Sequence, residues 1–239
     1  QSFLTGVNSA YNFIDLDGTD AFIDCGEIDI SGSEITLSAW VYRESTATDD
    51  ALAGKWNSNG SMLYAPSGGT NVRFHINANV STATLPTGAW THVVGTLGDG
   101  FRKLYINGEV QDTDADTNSV VSPSGDFYIG RGLWSGGKQF LGNIGQVAYY
   151  NKMLTATEVN AVYNLGRHGN LLDSYSDNLK GYWVMGGLDS KTGLPDTDST
   201  IYDRSGNSNH GTTSGTATGD LKSPPNAEPN GYAKGDTNR

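Results

Sequence analysis

The stretch GAWTHVVGTLGDGFRKLYINGEV, residues 88–110, decides the fold. Residues 90–97 alternate with the period of a strand, placing Trp90, His92, Val94 and Thr96 on one face and Thr91, Val93, Gly95 and Leu97 on the other. Gly98-Asp99-Gly100 supplies a turn that tolerates positive φ, and residues 101–106 return. Asn107-Gly108, set between Tyr105-Ile106 and Glu109-Val110, then predicts a tight hairpin into a third strand. A meander of this kind is stable only with a partner layer on its apolar face, so the rest of the chain should supply more strands.

On the N-terminal side, ITLSAWVYR (Ile35–Arg43) reads as a strand with two largely apolar faces, hence a central one. Shorter strands are expected at residues 11–14, 21–25, 52–56, 62–65 and 72–77, separated by Asn, Ser, Asp and Gly turns. On the C-terminal side, residues 112–123 read as a polar loop, and 127–131 and 144–150 as strands. Thr155-Ala-Thr-Glu158 is a capping box followed by Val159, Val162 and Tyr163, which predicts one short helix over about residues 156–165. Residues 179–185 suggest a further strand, residues 200–212 a glycine-bearing loop, and residues 222–239, with Pro224, Pro225 and Pro229, an extended polar tail.

Composition narrows the class. Thirty-two glycines and 10% aromatic residues among 239, with short strands at regular spacing, favour an all-β chain. A net charge of −11 argues against a nucleic-acid partner, whose phosphates such a surface would repel. Cys25 is the only cysteine, which excludes an intrachain disulfide and a thiolate metal cluster. No apolar run reaches the length of a membrane span, so no membrane insertion is expected. The chain starts at Gln1 without an initiator methionine, as a processed terminus or a fragment would.

WTHVVGT, a short turn and KLYINGEV resemble the central signature of laminin G-like jelly-roll domains, in the concanavalin A-like lectin and glucanase class. ITLSAWVYR, LAGKW at 52–56, FYIGR at 127–131 and LGNIGQVAYYNKMLTATEV at 141–159 match further pieces in the same order, so the resemblance spans most of residues 10–168. It implies an all-β, two-sheet antiparallel jelly-roll sandwich over residues 1–169, a C-terminal segment 170–221 packing on it, and the tail 222–239. The fold alone implies no activity, because it hosts lectins, enzymes, adhesins and virion parts. LKGYWVMGG with IYDRSGNSNHGT resembles stretches that accompany such domains in bacteriophage and environmental virion proteins. That resemblance implies a non-enzymatic extracellular structural or adhesive module. Its expected place is a virion surface or fibre, among copies of itself or other surface proteins, with cell-surface glycan as a further partner. A secreted bacterial carbohydrate-binding module of a larger enzyme is the alternative, and a glycoside hydrolase the third reading.

In related sequences the Gly-Tyr-Trp strand and the Asp-x-Ser-Gly-Asn loop precede the core. Here Gly181-Tyr182-Trp183 and Asp203-Arg-Ser-Gly-Asn207 follow it. The segment can fold back onto its own sandwich or add a strand to a neighbouring subunit. The reading adopted is that residues 181–185 fold back and the tail makes the intermolecular contacts.

For glycan binding, the useful groups are aromatic platforms in loops with amides and charges beside them: Trp56 with Asn57 and Asn59, and Trp134 with Arg131 and Lys138. The same tryptophans could instead seal the ends of a sandwich. Trp40, Trp90 and Trp183 sit in strand patterns and read as core. Laminin G-like domains commonly bind one Ca²⁺ at the rim, which implies Asp15, Asp17, Asp20, Asp24 and Asp203 as candidate ligands, with Asp112, Asp114 and Asp116, or Asp196, Asp198 and Asp203, as other sets. The family's usual Asp-Glu pair after the last Gly-x-Ile is replaced here by Gly145-Gln146. Glu27-Ile-Asp29-Ile-Ser-Gly-Ser-Glu34 superficially matches the paired carboxylates of retaining glucanases, which must lie about 5–5.5 Å apart. Glu34 has the wrong parity and Gly32 interrupts the strand, so no catalytic residue is expected there. His92 reads as a hydrogen-bonded structural histidine.

Overall fold

The computed structural model describes residues 13–133, 138–186, 196–217 and 220–222. The meander forms as the sequence dictates. Trp90–Gly98 pairs with Phe101–Ile106, and Phe101–Ile106 with Glu109–Ala115, both antiparallel. Asn107 and Gly108 both take positive φ, 50° and 80°, the requirement of a type I′ turn. A Cβ on Gly108 would come within 3.1 Å of Asn160 and Tyr163 of the helix, so the turn is also packed.

The meander sits in the first of two eight-stranded antiparallel sheets. Its order continues from Trp90–Gly98 to Ile35–Arg43 and then Leu141–Tyr150. Beyond Leu141–Tyr150, Phe13–Asp17 pairs with residues 141–144, and Leu179–Val184 with residues 146–150. Leu221–Lys222 pairs in turn with Phe13 and Ile14. The second sheet runs Thr200–Ile201, Gly211–Ser214, Phe22–Asp24, Tyr128–Ile129, Asp50–Trp56, Gly60–Ala65, Asn71–Ile76 and Asn79–Thr84. A small ribbon joins Arg131–Gly132 to Lys138–Gln139.

The core lies between the sheets. Leu37, Ala39, Val41, Val93, Leu97, Ile144 and Val147 from the first face Ile23, Leu63, Ala65, Val72, Phe74 and Ile76 from the second. Gly95 allows the closest approach, since a Cβ there would lie 2.3 Å from the Phe74 ring. The other face of the first sheet is covered too. The helix Ala156–Asn164 begins at Thr155 with the full capping box to Glu158, and sets Val159 and Val162 against Val94, Tyr105, Tyr150, Leu171 and Tyr182 in a second cluster. Each such buried valine contributes about 1.5–3 kcal/mol. This double cover explains why both faces of Ile35–Arg43 are apolar. Among the described residues no helix covers the outer face of the second sheet.

Three expectations need correcting. Asn79–Thr84 is a strand that the sequence reading omitted. Residues 112–115 extend the third meander strand rather than opening a loop. The stretch 200–212 is a hairpin whose strand Gly211–Ser214 pairs with Phe22–Asp24. The C-terminal segment thus contributes strands to both sheets. The expected lead-in 1–10 and all of the tail after residue 222 lie outside the described residues.

Candidate functional site

The strands of the second sheet bring one row of residues into register across its outer face: Thr212, Asp24, Tyr128, Gly54, Met62, His75 and Val80. Gly54 contributes no side chain to this row. Beside it, Trp56 and Tyr64 flank Met62 along alternate positions of their strands, and Arg73 lies opposite Tyr64. Trp56, Met62, Tyr64, Arg73 and His75 line a groove of about 400 Å³. Ala51, Met62, Tyr64 and Trp56 form the small apolar cluster at its floor. The His75 ring meets Trp56 edge-on at 5.1 Å and Tyr64 at 5.9 Å.

The rim is polar. Asp49 accepts hydrogen bonds from the Tyr64 hydroxyl, from Lys138 Nζ at 2.8 Å and from the Ser67 N–H at 3.0 Å. The Lys138, Tyr64 and Ser67 donors hold its carboxyl well below the usual range, while burial and then Asp49 push the Tyr64 hydroxyl up. Burial, followed by the Arg73 and Arg102 charges, lowers His75 to about 4, so the imidazole is neutral at pH 7. At the other end, Asn57 and Asn59 are exposed at the hairpin tip that follows Trp56, joined by a backbone bond of 3.0 Å. An aromatic groove with amides and charges at its edges suits the apolar faces and hydroxyl edges of a sugar ring.

Of the sequence candidates, Trp56, Asn57, Asn59 and Lys138 fall around this groove. Arg131 does not line it; its guanidinium stacks over Phe22 at 4.3 Å and Tyr128 at 5.3 Å, further along the same face. Trp134 lies outside the described residues. Tyr64, Arg73, His75 and Asp49 were missed, because three of them sit inside strands and carry no local motif; only the register across strands unites them.

The aspartates named for calcium are not drawn together. Among the described residues no group of three or more His, Cys, Asp or Glu could hold a metal ion. Asp17 caps its own turn, accepting from the N–H groups of Thr19, Asp20 and Ala21. Asp24 accepts from Gly26, and the buried Asp203 from Tyr182, Ser205 and Asn209. As a donor set Asp15, Asp17, Asp20, Asp24 and Asp203 therefore do not fit a calcium site. Asp112, Asp114 and Asp116 tie the two sheet edges together, bonding Thr82, Ser81 and Asn79 respectively. Gln146 is buried and donates to the Gly169 carbonyl at 2.7 Å and to the Tyr182 hydroxyl at 3.0 Å.

The Glu27–Glu34 stretch is spent on structure. Glu27 lies 3.9 Å from Lys55, Asp29 accepts from the Ser31 N–H, and Glu34 accepts from the Met153 N–H. His92 is fully buried, hydrogen-bonded to Ser38 Oγ at 2.8 Å, and packed in a cluster of near-parallel rings with Trp40 and Tyr163. Burial lowers it to about 3.

Two histidines held neutral make folding acid-sensitive. In the unfolded chain both gain protons below about 6.5, whereas in the fold they resist until about 4 and 3. Stability is therefore lost as pH falls through 6.5, each histidine approaching a slope of about 1.4 kcal/mol per pH unit only well below that value. Urea unfolding at pH 6.5 and pH 5 is expected to show a loss of roughly 2–3 kcal/mol. Equal stability at the two values would contradict the buried, neutral assignment.

Comparison with known proteins agrees with this architecture. A candidate carbohydrate-binding protein from Bacteroides ovatus ATCC 8483 matches with a TM-score of 0.62 and 19% identity over 84% of this chain; the match spans 58% of that protein. The heptameric SAP-like pentraxin of Limulus polyphemus matches with a TM-score of 0.54 and 17% identity, covering 67% of this chain and 85% of that one. At these identities the likeness concerns the fold. The laminin G-like family model of the concanavalin A-like lectin/glucanases superfamily matches residues 17–160, which hold the whole meander, most of both sheets and the start of the helix. The chain belongs to that superfamily.

Proposed function

We propose that the protein is a non-enzymatic, extracellular glycan-recognition module of an adhesive or structural assembly, with a virion surface or fibre as its setting. The groove on the outer face of the second sheet carries this reading: an aromatic floor of Trp56, Tyr64 and His75, bordered by Arg73, Asn57, Asn59 and the Lys138–Asp49 pair. The lectin-like fold supports it, as does the separate engagement of the Glu27–Glu34 carboxylates, which leaves no acid and nucleophile facing each other. No described helix is long and apolar enough to cross a membrane.

A glycan array followed by titration of the best ligands tests the proposal. Trp56→Ala is expected to weaken binding at least tenfold, about 1.4 kcal/mol, since ring stacking supplies much of the contact. Trp56 is only partly buried, so the variant should keep its melting temperature. Release of reducing ends from any bound glycan would instead favour a hydrolase.

A further inference from the structure

Arg73 distinguishes this groove from a neutral sugar platform. Its side chain is half-buried in the groove wall, beside Tyr64 and His75, and forms no hydrogen bond or ion pair among the described residues. The neighbouring charges are already matched. Asp49 is held by Lys138, Tyr64 and Ser67. Asp50 is paired with Arg43, and Arg102 with Asp114 and Asp116. On a chain of net charge −11, the groove therefore presents one uncompensated guanidinium. Half-buried in a groove lined by Trp56, Met62 and Tyr64, it would form a stronger ion pair there than on open surface.

Resting on the glycan reading above, we infer that the groove takes a carboxylate-bearing sugar, with Arg73 gripping the carboxylate while the ring lies on Trp56. The guanidinium fork offers two parallel N–H donors, the geometry a carboxylate accepts and a hydroxyl does not. Burial chiefly, and after it the Arg73 and Arg102 charges, lowers His75, so Arg73 adds a positive field over the groove floor.

The test uses matched pairs that differ in charge: sialyllactose against lactose, and a galacturonate oligomer against its methyl ester. At low salt at least one acidic member is expected to bind at least tenfold tighter than its neutral partner, and the preference should shrink as salt rises. Arg73→Met should erase the preference while keeping the weaker neutral affinity, and Arg73→Lys should retain part of it. If acidic and neutral members bind alike and Trp56→Ala still abolishes binding, the carboxylate inference falls and the glycan reading stands. Acid binding unchanged in Arg73→Met also overturns the inference. If no glycan on the array or in these pairs binds, both fall.

Discussion

Replacing Arg43 with methionine is expected to destabilise the fold by about 3–5 kcal/mol, the cost of leaving a buried charge without its partner. Both side chains of the Arg43–Asp50 pair are fully buried, and Arg43 Nε lies 2.7 Å from Asp50 Oδ2. The guanidinium also donates to the carbonyls of Gly69, Thr48 and Pro66, so it closes the end of the sandwich where two loops meet. Asp50 in turn accepts from Thr48 and from the Leu141 N–H, linking the two sheets. Burial pushes the Asp50 carboxyl up even with Arg43 opposing it. Without Arg43 it should rise further. A raised carboxyl carries its full destabilising penalty above the folded value, and that penalty fades as pH falls through the folded value toward the unfolded one. The gap between variant and wild type should therefore narrow from pH 7 to pH 5, and Arg43→Met combined with Asp50→Leu should recover part of the loss. A loss below 1 kcal/mol in the single variant would contradict this role.

Trp183→Ala is the second large effect, expected at about 3–5 kcal/mol for an aromatic side chain removed from a packed core. Trp183 is fully buried in the main core and stacks on Phe127, with ring centroids 5.4 Å apart. Its Nε1–H donates to the Asn209 carbonyl at 2.8 Å. The indole thus ties the C-terminal strand Leu179–Val184 to both the sandwich and the 200–214 hairpin. Trp183→Phe keeps the stack and loses the hydrogen bond, so its cost should be much smaller. A melting temperature for Trp183→Ala within a few degrees of wild type would show that the segment after the helix is a dispensable appendage.

These two positions differ in how far the sequence announces them. Trp183 sits in LKGYWVM, an alternating apolar pattern, so its burial was legible; that its strand pairs along residues 146–150 was not, because pairing across sequence leaves no local signature. Arg43 closes a recognisable strand, but nothing in the sequence says that Asp50 will be buried with it. The meander, Ile35–Arg43 and the capped helix were legible because periodicity, Asn-Gly and the capping box are local signals. Asn79–Thr84 escaped notice because NVSTAT is polar; the Ser81 hydroxyl and the Thr82 N–H donate to Asp114 and Asp112 of the other sheet, so hydrogen bonds to carboxylates stand in for apolar alternation. The groove was half legible. Trp56 and its asparagines lie in one turn, whereas Tyr64, Arg73 and His75 reach it only through the register of three strands.

The central claim, that the outer face of the second sheet is the glycan site, is tested most directly by following the five tryptophan indole N–H signals during a glycan titration. The Trp56 signal is expected to shift with ligand, while those of the buried Trp40 and Trp183 stay in place. A titration in which ligand binds and the Trp56 signal stays unchanged would contradict it.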